Sequence, residues 1–204
     1  MGRIRLGVLI SGSGTNLQSI LDASAAGRLD ADVAVVISNK GDAFGLERAR
    51  TAGVAAVHVD PAAYADRDAY NHALRAALDE HAVDYVVMAG YMRLLGTEVL
   101  DAYPMRVLNI HPALLPSFAG AHGIADAFAS GVKVTGVTVH FANEVFDEGP
   151  IVAQEAVAIA EDDTIESLEE RIHAVEHRLY PAALQLVAQG RVVIEGRKVR
   201  VLPE

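Results

Sequence analysis

The sequence predicts an α/β fold with a mostly parallel sheet, helices on both faces and an antiparallel C-terminal extension. In the first half, short runs rich in valine and isoleucine alternate with longer amphipathic segments, the order expected of strand–helix–strand units. A glycine-rich segment, Ser11–Asn16, follows the first of these runs, where a strand gives way to a helix. After residue 110, two β-rich runs follow one another without a helical segment between them, which predicts an antiparallel pair.

The β-rich runs of the first half have the composition of parallel strands that are buried on both faces. They are Arg5–Ile10, Val33–Ile37, Ala55–Val59, Tyr85–Met88 and Val107–Ile110. The segments typical of helices are Leu17–Ala26, Phe44–Ala52 and Arg67–His81, and a glycine closely follows the first two. Because crossovers between parallel strands are right-handed, this order predicts a Rossmann-like sheet that binds ligands at the carboxyl ends of its strands.

The second half begins with a segment, 109–131, that we expect to be rich in loops because it contains two prolines. The antiparallel pair is then formed by Val134–Phe141 and Ile151–Ile159. The chain contains no internal repeat or low-complexity linker. We therefore expect a single domain, 1–204, with the halves 1–110 and 111–204.

A long helix and a short hairpin complete the prediction. The helix spans Thr164–Gln189, with Thr164 as its N-cap. Pro181 is expected to interrupt or kink it, because proline lacks the N–H that continues a helix. The tail, Arg191–Val201, predicts a hairpin that turns at Gly196.

Composition excludes several classes of protein. A formal net charge of −10 opposes broad nucleic-acid binding, which needs a basic surface. The sequence has no cysteine, which excludes disulfides, cysteine nucleophiles and thiolate metal sites and fits a cytoplasmic location. No apolar run approaches the roughly 20 residues of a membrane span, so no membrane contact is expected. A small anionic substrate stays compatible with the charge, because backbone N–H groups bind phosphate locally.

The glycine-rich segment Ser11–Asn16 has the composition of a phosphate-binding loop. Gly12 and Gly14 let the backbone approach an anion, and the start of the following helix offers free N–H groups. The third glycine of a dinucleotide-binding loop would fall at Leu17, and the lysine of a P-loop is missing. The segment therefore favours a phosphate monoester; the alternative is a glycine turn that only begins the helix.

Polar side chains suited to acyl transfer follow in the second half. Asn109 and His111 lie at the carboxyl end of the fifth predicted strand, where alternation points both to one side. Asparagine donates a hydrogen bond to a developing oxyanion, and histidine donates a proton near neutral pH. Asp147, between the two later strands, is either a turn residue or a carboxylate that pairs with His111 and favours its charged form. Spacing leaves both interpretations open, and Asn109 and His111 could equally be local hydrogen-bonding groups.

Together, these motifs resemble the folate-dependent phosphoribosylglycinamide formyltransferase family. The resemblance runs over nearly the whole chain, through ISGSGTNL, SNKGDAFGLERAR, MAGYMRLL, LNIHPALLPSF, GVTVHF, DEGPIV and EHRLYPAAL. NIHPALLP with the downstream aspartate marks the wider formyltransferase superfamily. The N-terminal loop and EHRLYP narrow the resemblance to the glycinamide ribonucleotide branch.

The resemblance implies roles for individual residues. It makes Asn109, His111 and Asp147 catalytic. It implies that the ribonucleotide is bound by Gly14, Thr15, Asn16 and Glu176. It implies that formyl-folate is bound by Arg67, Met92, Arg93, Leu94, Leu95, Asn109, Asn143, Glu144, Val145, Phe146 and Asp147. Two positions depart from the family pattern: His173 stands where some members have lysine, and Ala119 stands where many have proline before glycine.

The implied reaction is transfer of the formyl group of 10-formyltetrahydrofolate to the amine of glycinamide ribonucleotide, in purine biosynthesis. The folate is a cosubstrate, and neither a permanently bound cofactor nor a metal is expected. The chain is expected to be a monomer or a homodimer. The alternatives are a formyltetrahydrofolate hydrolase, a methionyl-tRNA formyltransferase, for which the chain has no room for a tRNA-binding domain, and a non-enzymatic nucleotide-binding module.

Overall fold

A computed structural model describes residues 2–145 and 147–203. Seven strands form one mostly parallel sheet in the order β3-β2-β1-β4-β5-β6-β7, and β8 and β9 form a separate antiparallel hairpin. The strands are β1 Ile4–Ile10, β2 Ala31–Ser38, β3 Ala55–His58, β4 Tyr85–Met88, β5 Val107–His111, β6 Val134–Phe141, β7 Ile151–Ala158, β8 Val192–Glu195 and β9 Lys198–Val201. The helices are α1 Thr15–Ala25, α2 Phe44–Thr51, α3 Arg67–Glu80, α4 Thr97–Leu100, α5 Gly123–Ser130 and α6 Ile165–Ala188, with a 3₁₀ turn at Pro61–Ala63. The predicted fold class is confirmed.

The chain divides into two compact units, the first ending at Leu108 and the second beginning at Asn109. In the first unit, β1 pairs in parallel with both β2 and β4, and β2 pairs in parallel with β3. The strand order therefore reverses at β1, and right-handed crossovers place α1 and α2 on one face and α3 on the other. Strand β1 is the centre of this unit, since Leu6, Val8, Leu9 and Ile10 are fully buried. The glycine-rich segment follows β1 at this reversal, where sheets of this kind bind ligands.

In the second unit, β6 and β7 pair antiparallel, as predicted. Helix α6 begins after Thr164, whose side chain accepts a hydrogen bond from the N–H of Ser167 in a capping box. Pro181 was predicted to interrupt or kink this helix; an interruption is wrong, because α6 continues through Pro181 to Ala188. Pro181 is buried next to the fully buried Tyr180, and packing of this helix face offsets the one backbone hydrogen bond that proline lacks.

A short helix, α5, lies inside the segment 109–131 that the sequence predicted to be loop-rich. Ala127 is buried on the inner side of α5, and Gly131 ends the helix in the left-handed conformation, with a φ of 72°. The sequence did not predict this helix because the helix is only a little over two turns long and is flanked by glycines, which are typical of loops. In the part of the chain that the structure describes, no helix is long and apolar enough to cross a membrane.

Candidate active site

Asn109 and His111 extend from the end of β5, two residues apart and therefore on the same side of the strand. His111 is only 4% exposed. Its Nδ1 atom lies 3.5 Å from Oδ2 of Asp147, whose side chain is 1% exposed. The structure thus brings together the pair that sequence spacing left open, and Asp147 is more than a turn residue.

His140 on β6 is a fourth member of this cluster that the sequence analysis missed. Its Nε2 atom lies 3.5 Å from Oδ1 of Asp147 and 3.2 Å from Nδ2 of Asn109, and the residue is 1% exposed. Its Nδ1 atom is 3.0 Å from the carbonyl oxygen of Phe141 and donates to it. The signal was present, because a histidine stands near the end of a strand in the motif GVTVHF.

The carboxylate of Asp147 is held by several donors at once. Burial by itself would raise its pKa, but hydrogen bonding to His140 and to the N–H of Gly120, together with the charges of His111 and His140, brings the net pKa below its ordinary value. The Gly120 N–H lies 2.9 Å from Oδ2. Asp147 itself has a φ of 56°, a left-handed conformation that aspartate tolerates better than most residues. The site therefore contains a buried, ionised carboxylate between two imidazole rings.

Both ring nitrogens of His111 face hydrogen-bond acceptors. Its Nε2 atom lies 2.8 Å from the carbonyl oxygen of Phe118, which only accepts hydrogen bonds, so Nε2 carries a hydrogen. Its Nδ1 atom faces the carboxylate of Asp147, which also accepts. A ring with two N–H groups satisfies both partners, whereas either neutral tautomer leaves one nitrogen lone pair facing an acceptor. The arrangement presents an N–H donor at His111 Nε2 on the same side of the strand as the amide of Asn109.

The glycine loop of the first unit has a backbone conformation that requires glycine. Gly14 precedes α1 with a φ of 71°, and a Cβ atom there would lie 2.7 Å from Cα of Gly45. Thr15 and Asn16 then form the first helical positions, whose backbone N–H groups point towards the N-terminal end of α1. These N–H groups and the positive end of the helix dipole form a local anion-binding geometry.

The predicted folate contacts of the first unit are Arg67, at the start of α3, and the segment 92–95, to which Arg67 is hydrogen-bonded. The Met92 N–H donates to Oγ of Ser11 over 2.9 Å, and Arg67 donates to the carbonyl oxygen of Leu95 over 3.1 Å. The Arg93 guanidinium lies 5.3 Å from the ring centre of Tyr70. Met92 is 70% exposed and Leu94 is 48% exposed, whereas Leu95 is buried. Two apolar side chains are thus presented to solvent next to the glycine loop.

The predicted contacts of the second unit lie in two places. Asn143, Glu144 and Val145 are exposed, and Oδ1 of Asn143 accepts the N–H of Val145 over 3.1 Å. Phe146, which the resemblance also places at the folate, lies outside the described residues. Glu176 on α6 is buried, and its Oε2 atom lies 2.9 Å from Nδ1 of His173.

The known proteins most relevant to this chain are formyl transferases, both by sequence and by structure. The family model described as formyl transferase matches residues 4–184. A phosphoribosylglycinamide formyltransferase of Mycobacterium tuberculosis is 45% identical over 203 residues, which covers 97% of this chain and 94% of that protein. The human trifunctional purine biosynthetic protein adenosine-3 is 42% identical over 190 residues, and the match covers 93% of this chain but only 19% of that protein. The solved structure of glycinamide ribonucleotide transformylase 1 from Symbiobacterium toebii superposes with a TM-score of 0.97 at 57% identity, covering 99% of this chain and 95% of that one. The chain belongs to the formyl transferase family.

Proposed function

We propose that this chain transfers the formyl group of 10-formyltetrahydrofolate to the amine of N1-(5-phospho-D-ribosyl)glycinamide, a step of purine biosynthesis. Membership of the formyl transferase family and the name of the Mycobacterium tuberculosis relative, which has nearly the same length, support this proposal. The observation that carries it is the contact between the buried carboxylate of Asp147 and His111, beside Asn109. The proposal includes a cytoplasmic location and a monomeric or homodimeric state.

The chemical problem is the attack of a neutral amine on the formyl carbon, which places negative charge on the formyl oxygen. Asn109 Nδ2–H and the His111 N–H donate hydrogen bonds to that oxyanion. In the described structure, His111 Nε2 donates to Phe118. The formyl oxygen takes the place of this carbonyl as an acceptor, and it becomes a better acceptor as its charge grows. The donors are therefore most effective in the transition state.

Asp147 acts mainly through its charge. Because its pKa lies below the ordinary value, the carboxylate is a weak proton acceptor at neutral pH but a permanent negative charge beside His111. That charge orients the imidazole ring, whose Nδ1 atom lies 3.5 Å from Oδ2 of Asp147, and stabilises positive charge on the ring in the transition state. The new carbon–nitrogen bond to the amine forms first and gives a tetrahedral oxyanion; the bond to the folate N10 then breaks as the carbonyl re-forms. The amine gives up one proton, through water, and N10 of the leaving tetrahydrofolate gains one.

Substrate binding uses the groups around this chemistry. The phosphate accepts hydrogen bonds from the loop N–H groups at Gly14, Thr15 and Asn16. Glu176, a buried carboxylate, accepts a hydrogen bond from a ribose hydroxyl. Arg67, the segment 92–95 and the loop 143–147 contact the folate, with the exposed Met92 and Leu94 covering its apolar ring surface.

The test is a product assay with the purified protein and 10-formyltetrahydrofolate, with and without glycinamide ribonucleotide. We expect tetrahydrofolate to form only with the ribonucleotide, together with an equal amount of formylated ribonucleotide. Release of formate without the ribonucleotide would instead identify a hydrolase. Asp147→Asn should abolish most of the transfer, whereas Asp126→Asn, at an exposed position on α5, should have no effect.

A further inference from the structure

The first turn of α2 packs directly against the backbone of the glycine loop. The N–H of Gly45 donates to the carbonyl oxygen of Gly12 over 3.1 Å. A Cβ atom on Gly45 would overlap Cδ1 of Ile10 and lie 3.3 Å from Cα of Gly14. Two glycines thus face each other, and one loop carbonyl is bonded to α2.

Arg48, one turn further along α2, bonds the next carbonyl of the loop. Its Nε atom donates to the carbonyl oxygen of Ser13 over 2.9 Å, and its Nη1 atom donates to Oε1 of Gln18 over 3.0 Å. Gln18 in turn donates to Asp22 over 2.8 Å. The guanidinium carbon lies 4.9 Å from the ring centre of Phe44. Arg48 is therefore held in place while it spans the loop and the first turn of α1.

These bonds determine which way the loop N–H groups point. In a trans peptide unit, the C=O and the N–H point in opposite directions. The carbonyls of Gly12 and Ser13 point towards α2, so the N–H groups of Ser13 and Gly14 point away from it. If the peptide between Ser13 and Gly14 rotated, a carbonyl oxygen would replace an N–H on the face that meets the anion, and it would repel phosphate.

We propose that Arg48 is a positioning residue for substrate phosphate: it fixes the Ser13–Gly14 peptide so that its N–H faces the anion. This inference rests on the proposed function, in which the loop binds the phosphate of the ribonucleotide. Arg48 acts through the loop and does not itself touch the phosphate. Its loss affects the capture of the ribonucleotide and leaves the chemistry at Asn109 and His111 unchanged.

Steady-state kinetics of Arg48→Met test this role, because methionine keeps much of the apolar stem and removes every donor. We expect KM for the ribonucleotide to rise about tenfold, the scale of one charge-assisted hydrogen bond, while kcat and KM for the folate change less than about twofold. The matched control is Arg50→Met, at an exposed position on the same helix that pairs only with Glu47 among the described contacts. It should leave all three constants unchanged. An unchanged ribonucleotide KM in Arg48→Met, or an equal loss of kcat and both KM values, would overturn the inference.

Two further variants distinguish the hydrogen-bond geometry of Arg48 from its charge and from an effect on folding. Arg48→Lys keeps the charge but has a single donor group, which does not reproduce the fork to Ser13 and Gln18. We expect it to show a raised KM as well, and a wild-type KM would show that charge alone matters. Gln18→Leu removes the second acceptor together with the bond from Gln18 to Asp22, keeps α2 intact and should raise KM by roughly twofold to threefold. If Arg48→Met does not fold, a wild-type KM in both Arg48→Lys and Gln18→Leu refutes the role.

Titration with inorganic phosphate, followed by NMR of the loop amides, distinguishes this inference from the proposed function. We expect the Ser13 and Gly14 amide signals of the wild-type protein to shift with phosphate, and those of Arg48→Lys to shift only at about tenfold higher concentration. If the wild-type signals do not shift, both the phosphate loop and the role of Arg48 fail. If the wild-type and variant titrations coincide, the phosphate loop stands and the role of Arg48 fails.

Discussion

Replacing Asp147 with asparagine removes one charge and nearly no volume from the centre of the site. The carboxylate lies 3.5 Å from a nitrogen of His111 and 3.5 Å from a nitrogen of His140. The Coulomb energy of two unit charges at that separation is about 5 kcal/mol at an effective dielectric constant of about 20. If half of this, about 2.4 kcal/mol, stabilises the imidazolium of His111 in the transition state, turnover falls about 60-fold, at about 1.36 kcal/mol for each factor of ten.

The assay is kcat for formyl transfer, measured for the wild type, Asp147→Asn and the Asp126→Asn control. We expect the ribonucleotide KM to stay within about twofold, because the glycine loop is untouched. We expect ¹⁵N NMR to show a changed Nδ1 signal of His111 in Asp147→Asn, because this nitrogen faces the altered side chain. A folded Asp147→Asn protein with a wild-type kcat and an unchanged His111 ring would refute the electrostatic role of the carboxylate.

The same variant also changes how the free energy of unfolding depends on pH in the acid range. The pKa of Asp147 is lowered in the folded protein from 3.8, so its contribution to the free energy of unfolding is present above that value and is lost as pH falls through the folded pKa. Asparagine does not titrate. The difference in melting temperature between wild type and variant should therefore be largest near neutral pH and smallest in acid; a difference independent of pH would contradict this.

Three further predictions concern other parts of the site. Asn109→Ala should reduce kcat by on the order of 100-fold through loss of an oxyanion donor, and near-normal kcat in the folded protein would remove that role. Gly14→Val places a Cβ atom 2.7 Å from Cα of Gly45 at a positive φ, so it should weaken ribonucleotide binding in calorimetry while folate binding is retained; equal loss of both ligands would indicate unfolding instead. His173 has its pKa raised above 6.5, mainly by the hydrogen bond to Glu176, so its contribution to stability is full below 6.5 and is lost as pH rises through the folded pKa. The melting temperature of His173→Gln should thus fall below that of the wild type more at pH 5.5 than at pH 8, and an equal difference at both would refute the link.

The sequence predicted the parts of the fold that follow from local periodicity. The runs that became β1, β4 and β6 were visible because buried strands are continuous in valine and isoleucine. Helix α5 was missed because it is stabilised by the burial of Ala127. That is a tertiary contact, and a short run of small residues gives no periodic pattern that would predict it. The predicted interruption at Pro181 was wrong for the same reason, since packing around Tyr180 outweighs one missing hydrogen bond.

The candidate site shows the same division between local and distant information. The partnership of Asn109 and His111 follows from strand alternation, but the approach of Asp147 depends on a loop more than thirty residues away. The position of His140 beside Asp147 depends on how the strands pair, which the sequence alone does not give. Arg48 is the clearest case, because the sequence of α2 does not distinguish it from Arg50, and only the structure shows its hydrogen bond to Ser13.

A crystal structure with glycinamide ribonucleotide and an unreactive formyl-folate analogue tests the central claim most directly. The oxyanion assignment predicts that the carbonyl oxygen of the analogue lies about 3 Å from both Asn109 Nδ2 and His111 Nε2, in place of the Phe118 carbonyl, with Asp147 still beside His111 Nδ1. An analogue whose carbonyl oxygen faces other groups, with His111 Nε2 still bonded to Phe118, would contradict the assignment of Asn109 and His111 as oxyanion donors.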